Sequence, residues 1–222
     1  QGALSDALDE GEFVVVRGTN GNRTDLKVAL HVLSDRARET NFENCLADVN
    51  IPLGEVFTSP RLSGTKGLLH VSRIYLDEVE YQDLELVFQD GMTVSATCKN
   101  YGSEEEDRKL VAENLLRNHK SLPLGEFAVG TNTAAYAMAK KYGIISRLKI
   151  LIIEKMGPHF AIGDTCYSHS EEVRVYNPDG KEVTARDNEC SIRRKEDPEA
   201  AYFNCHTDIT IPYDELGEIA VI

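Results

Sequence analysis

Apolar residues recur along this chain with two different periods. A period of two dominates the first half. Residues 12–17 (EFVVVR) form a β-branched run, and residues 25–32 alternate Leu26, Val28, Leu30 and Val32 with polar or small partners, so both segments are predicted strands. The intervening TNGN carries an Asn-Gly turn signal and predicts a β-hairpin. Residues 67–76 and 78–88 read as two further strands, and Asp90-Gly91-Met92 turns the chain into another over residues 93–98.

A helical period follows. Ser103 with Glu106 three residues on has the form of a capping box, and Leu110, Val111, Leu115 and Leu116 supply an apolar face up to about residue 118. The acidic run Glu104-Glu105-Glu106 suits a solvated first turn, where the helix dipole favours negative charge. A second helix is predicted over residues 133–142, stopped by Gly143. Residues 148–153 read as a buried strand, residues 172–185 (EVRVYNPDGKEVTA) as a hairpin about an Asn-Pro-Asp-Gly turn, and residues 206–211 and 218–222 as strands. With no repeat, low-complexity tract or Pro/Gly-rich linker, the expectation is one α+β domain over residues 1–222, a largely antiparallel or mixed sheet with two main helices.

Charge narrows the partners. A net charge of −13 and a pI near 4.9, with no clustered basic stripe, argue against a nucleic acid or an anionic membrane. The five cysteines lack C-x-x-C spacing, so neither a disulfide framework nor a zinc ribbon is indicated, and a reducing cytoplasm is the simplest compartment. No apolar run approaches the ~20 residues that span a bilayer.

Metal-capable side chains are spread through the chain. His206 and Asp208 flank Thr207 in a strand-like stretch, so both point to one face; the spacing fits a pair of ligands and an ordinary hydrogen-bonded pair alike. In HFAIG, His159 shares a face with Ala161 and Gly163, away from Phe160 and Ile162, either as a ligand or as a buried, hydrogen-bonded histidine. Glu154 lies five residues before His159, a spacing no helix face accommodates, so a turn at Gly157-Pro158 must separate them. Glu55 follows Pro52-Leu53-Gly54 and Glu126 follows Pro123-Leu124-Gly125. Each is either an exposed loop carboxylate or one whose desolvation a cation offsets.

The segments GEVFTSP, LGEFAVGTN, EKMGPHFAIG and CHTDITI, in this order and with RGTNGNRTDLKVAL near the start, resemble the M29 family of metal-dependent aminopeptidases. The resemblance implies that Glu55, Glu126, Glu154, His159, His206 and Asp208 are metal ligands and that the chain is a catalytic domain removing N-terminal residues from peptides. Four carboxylates and two imidazoles without thiolate suit Zn, Co or Mn, and are too many for one tetrahedral ion. They fit two ions ~3.5–4 Å apart sharing a water and a bridging carboxylate, for which Glu126 is the choice, with Glu126 or Glu154 shuttling the proton to the leaving amine. Tyr167 is either the oxyanion donor that the resemblance implies or a packed, hydrogen-bonded tyrosine, and Cys166 stands where the resemblance places the donor.

The resemblance also implies a homodimer and a preceding N-terminal α/β domain. The start at Gln1 without methionine and the stop on EIAVI fit a fragment of a longer polypeptide. Two rivals stand beside this reading: another two-metal hydrolase, acting on a different amide or a phosphoester, and a non-catalytic metal-binding or interaction module. Phosphoryl chemistry calls for cations near the metals, and the motif segments offer Arg61 and Lys155.

Overall fold

The computed structural model describes residues 1–46, 54–145 and 148–222. The hairpin at TNGN forms as the pattern predicts. Strands β1 (Phe13–Gly18) and β2 (Asp25–Ala29) pair antiparallel, with Asn20 and Gly21 in the positive-φ backbone that an Asn-Gly turn supplies. The alternation in residues 25–32 outruns the strand, leaving Val32 exposed.

Strand β6 (Arg61–Leu76) pairs with β2 and with β7 (Val79–Gln89), which pairs with β8 (Met92–Thr97); β13 (Leu216–Val221) closes the far edge against β1. This six-stranded antiparallel sheet runs in the order β13-β1-β2-β6-β7-β8. A second sheet is built from β4 (Glu43–Cys45), β5 (Glu55–Thr58), β9 (Leu124–Gly130), β10 (Pro158–Gly163) and β12 (His206–Thr210), in the order β12-β10-β9-β5-β4 and antiparallel throughout.

Helix α1 (Gly2–Leu8) precedes β1. In α2 (Glu104–Leu110) the Ser103 side chain accepts from Glu106 N, as the capping box requires; one π-helical turn, Val111–Leu115, continues it. Helix α3 (Thr133–Tyr142) is capped by Asn132 and ends at Gly143, whose φ of 64° is the left-handed conformation that stops helices. Among the described residues no helix is long and apolar enough to cross a membrane.

Two predictions fail locally. The apolar run at 148–153 is not a buried strand: Ile150–Ile153 is one helical turn, α4, followed by a 3-10 turn over Glu154–Met156, and Leu151 is exposed. A short apolar run fits either periodicity, and here both edges of β10 are already occupied by β9 and β12. The hairpin at 172–185 is reduced to a turn with one isolated bridge, Tyr176 to Glu182. The returning residues form β11 (Glu182–Val183), which pairs in parallel with β3 (Glu39–Thr40).

One hydrophobic cluster joins the sheets: Val14, Val16, Leu26 and Val28 of the first meet Val56, Phe127, Phe160, Ile162 and Ile209 of the second. Phe127 stacks on Phe160 with ring centroids 5.3 Å apart. Because these side chains occupy one face of the second sheet, the residues alternating with them must occupy the other.

Candidate metal centre

Sheet register brings the predicted residues together. Glu126 lies opposite Ala161, Ala161 opposite Asp208, Gly163 opposite His206, and Cys45 opposite Glu55. Directly paired residues share a face, so Glu55, Glu126, His159, His206 and Asp208 project to the side opposite Phe127 and Phe160. On the central strands that face otherwise carries Ala128, Gly130, Ala161 and Gly163. Small residues make a low floor, and the acidic and imidazole side chains converge over it.

The glycines preceding two of the glutamates have physical reasons. Gly54 has a φ of 125°, which other residues rarely adopt, and a Cβ on Gly125 would lie 2.2 Å from the carbonyl oxygen of Asp164. Pro52 and Leu53, which precede Gly54, lie outside the described residues. Glu154 reaches the site differently, from the 3-10 turn, and at Gly157 the chain straightens into β10.

A cavity of about 420 Å³ is lined by Glu55, Glu126, Glu154, His206 and Asp208 together with Cys166. His159 is buried behind these carboxylates, with Nε2 3.3 Å from Glu55 Oε2 and 3.5 Å from Glu126 Oε1. His206 Nε2 is 3.0 Å from Glu126 Oε2 and 3.5 Å from Asp208 Oδ1. Glu126 thus directs one oxygen to each imidazole. The other ring nitrogens are held by backbone: His206 Nδ1 is 2.7 Å from Asp164 O, and His159 Nδ1 is 3.4 Å from Gly157 O.

That arrangement has an electrostatic consequence. When each Nδ1–H donates to its carbonyl, each neutral imidazole directs the Nε2 lone pair at carboxylate oxygens, which repels unless a proton or a cation lies between. In the cation-free protein protons fill the role. Burial alone would hold both histidines down, but Glu126 and Glu55 at His159, and Asp208, Cys166 and Glu126 at His206, outweigh it and raise both above the usual imidazole range. Burial likewise works to raise Glu126, and the two imidazoles outweigh it, holding this carboxyl below its usual value. Glu154 is pushed up to about 7 by burial and by Asp208, against the pull of Lys155.

Lys155 is a site residue that the sequence reading noted as a cation in the motif segments and did not place at the site. Its side chain is 1% exposed, and Nζ donates to Glu55 and, at 2.6 Å, to Glu154 Oε1. A lysine beside a glutamate inside an apolar stretch was the available signal, since an ammonium that is buried there must be paired. Even so, Glu55 Oε2 and Asp208 Oδ1 are buried without a hydrogen-bond partner. Two orphaned carboxylate oxygens at one cleft, beside oriented imidazoles, are what a cation-binding donor set looks like before its ion is added.

Tyr167 is 5% exposed and packs on the same face against Phe57, and its hydroxyl donates to Glu43 rather than into the cavity. Burial and Glu43 raise its phenol far above the usual range. Cys166, one residue earlier, is the side chain that enters the cleft, with Sγ 2.7 Å from Glu126 Oε2. Away from the cleft, His70 accepts from Arg23 N at 3.1 Å and His119 packs on Phe203.

A carboxylate- and imidazole-lined cleft on one face of an antiparallel sheet, backed by an apolar second face, defines an α+β protein whose donor chemistry is that of a metal centre. The sequence profile of the thermophilic metalloprotease family, M29, matches residues 1–184, and the chain belongs to that family. The matched span contains Glu55, Glu126, Glu154 and His159, and ends before His206 and Asp208. Among solved structures, wild-type AmpT from Thermus thermophilus is similar over 99% of this chain at 19% identity, with a TM-score of 0.58. The chain spans about half the length of that structure, covering 50% of it. A search of curated proteins finds no match.

Proposed function

We propose that this domain holds two divalent ions and that the protein containing it is a metal-dependent aminopeptidase that removes N-terminal residues from peptides. The observation that carries the reading is the sharing of Glu126 between two donor groups. Glu55, Glu126 and His159 form one, and Glu126 with His206, beside Asp208, forms the other. Such ions would supply Lewis acidity toward the scissile carbonyl and activation of water near neutral pH.

The chain's own residues supply positioning and proton handling. Glu126, held ionised between the two imidazoles, would be the carboxylate shared by the two ions. Asp164 O and Gly157 O fix the ring orientations of His206 and His159, leaving Nε2 of each directed at the cleft. Glu154, at the cavity wall with its carboxyl pushed up to about 7, is suited to take a proton and return it to the departing amine, whereas Glu126 is not. Leu151 contributes an apolar edge against which a substrate side chain can pack. The homodimer implied by the family resemblance is part of the same proposal.

Calorimetric titration of the domain with zinc, cobalt or manganese should show two ions bound per chain, with Glu126→Ala and His206→Ala each losing occupancy and His119→Ala keeping it. The full-length protein should release N-terminal residues from short peptides and leave N-acetylated peptides intact. Absence of metal binding would overturn the centre; equal cleavage of acetylated and free peptides would overturn the exopeptidase assignment.

A further inference from the structure

The cysteine in the cleft is not accounted for by that reading, whose six donors are all nitrogen or oxygen. Cys166 sits on the loop leaving β10, and two contacts fix the loop against the site. Asp164 O holds His206 Nδ1 at 2.7 Å, and Asp164 N donates to Cys205 O at 2.7 Å. Between them, Cys166 Sγ, Glu126 and His206 present donor atoms that all lie within 4.8 Å of one another. A fourth donor, Asp208, stands beside this group next to His206. Asp208 is 8% exposed, its Oδ1 lacks a hydrogen-bond partner, and that oxygen is 3.5 Å from His206 Nε2. Sulfur, imidazole and two carboxylates are four donors, the number a tetrahedral zinc-like ion takes.

The other half of the centre, Glu55, Glu126 and His159, has no comparable thiol in its group. Cys45, the other cysteine at the cavity, is completely buried on β4 opposite Glu55. Cys166, an exposed residue, lines the cleft beside Glu126.

We propose that Cys166 is a thiolate ligand of the ion held by Glu126, His206 and Asp208, making that half of the centre a sulfur-containing, zinc- or cobalt-selective subsite. The proposal rests on the two-ion reading above and deepens it. As the S–metal bond forms, the S–H bond breaks and its proton leaves to solvent, with no change of oxidation state. A thiolate favours zinc and cobalt over manganese, which prefers oxygen, so the two halves differ in metal preference. It also gives position 166 a role different from the phenol expected there, holding the ion instead of donating to an oxyanion.

Cobalt loading of the intact domain separates the outcomes, since thiolate-to-cobalt charge transfer absorbs in the near ultraviolet while ligand-field bands in the visible report cobalt whatever its ligands. The expected result is a charge-transfer band in the unaltered protein and in Cys45→Ser, absent in Cys166→Ser, with ligand-field bands kept in all three. Cys166→Ser should also weaken zinc binding by on the order of 10-fold or more while leaving manganese binding nearly unchanged, and bound zinc should shield Cys166 from thiol reagents. Ligand-field bands without charge transfer, or a charge-transfer band that survives in Cys166→Ser and disappears in Cys45→Ser, would overturn the assignment and leave the metal centre standing. No cobalt uptake by absorbance or calorimetry would overturn both.

Discussion

Replacing Lys155 by Met tests how the acidic cluster is neutralised. Methionine keeps the apolar stem of a fully buried side chain and removes the ammonium that Glu55 and Glu154 share. Removing one partner of a buried ion pair typically costs ~3–5 kcal/mol, because the remaining charge stays desolvated. In a domain of this size each kcal/mol moves the melting temperature by ~2–4 °C, so Lys155→Met in chelator should melt ~6–20 °C below the parent protein. The loss should depend on pH. Glu154, already pushed up to about 7 with the ammonium beside it, can neutralise itself by taking a proton once that ammonium is gone. The difference in melting temperature should therefore be smaller at pH 6 than at pH 8, a pH unit above 7 being equivalent to ~1.4 kcal/mol. A divalent ion supplies the missing positive charge, so zinc should raise the melting point of the variant more than that of the parent. Thermal unfolding by circular dichroism, in chelator and in zinc at both pH values, is the assay. A variant melting within ~2 °C of the parent in chelator at pH 8 would refute the assignment of Lys155 as the fixed counter-charge.

Other expectations follow from the same geometry. His159 and His206 are raised above 6.5 by their carboxylate partners, so their contribution to the stability of the cation-free protein is present below pH 6.5 and lost as pH rises through the folded-state values. Metal must displace those protons, so zinc should bind more tightly as pH rises, with release of about two protons from the imidazoles, measurable by calorimetry in buffers of different ionisation enthalpy; binding without proton release would contradict this. In Tyr167→Phe, loss of the bond to Glu43 should cost ~1.5–3 kcal/mol of stability and leave kcat unchanged; a ~10²–10³-fold fall in kcat would instead place the phenol in the reaction. In Gly130→Ala the new Cβ would lie 2.4 Å from Glu154 O and 2.5 Å from Lys155 C, so this change should cost ~1–3 kcal/mol or more and weaken zinc binding by shifting the Glu154 turn. Unaltered melting and affinity would show that the strand and turn can separate freely.

What could be read from the sequence depended on how local its cause was. The Asn-Gly hairpin, the Ser103 cap and the Gly143 stop each depend on a few adjacent residues, and each formed where the pattern put it. So did the two-residue spacing that sets His206 beside Asp208 and His159 beside Ala161 on strand faces. Residues 148–153 carry an apolar run too short to distinguish a strand from a helical turn, and the decision came from neighbours that already occupied the sheet edges. The partner of Glu182 and Val183 was likewise distant: β3, more than a hundred residues earlier in the chain.

Convergence of the site residues is non-local in the same way. Glu55, Glu126, His159 and Asp208 come from four strands whose spatial order, β12-β10-β9-β5, reverses their order in the chain. Nothing in any one segment states that Ala161 will stand between Glu126 and Asp208, yet this small residue is what lets their side chains lean toward each other over the floor. The same register explains why the centre needs imported charge. Among the described residues four carboxylates share one cleft with a single buried ammonium, and both imidazoles direct Nε2 at oxygens rather than at donors. Protons on the histidines can stabilise that arrangement only at the cost of charged, desolvated rings. Divalent ions in the proposed centre would remove the need for those protons and would engage the partnerless oxygens of Glu55 and Asp208 as well, which would account for so much acid on one sheet face.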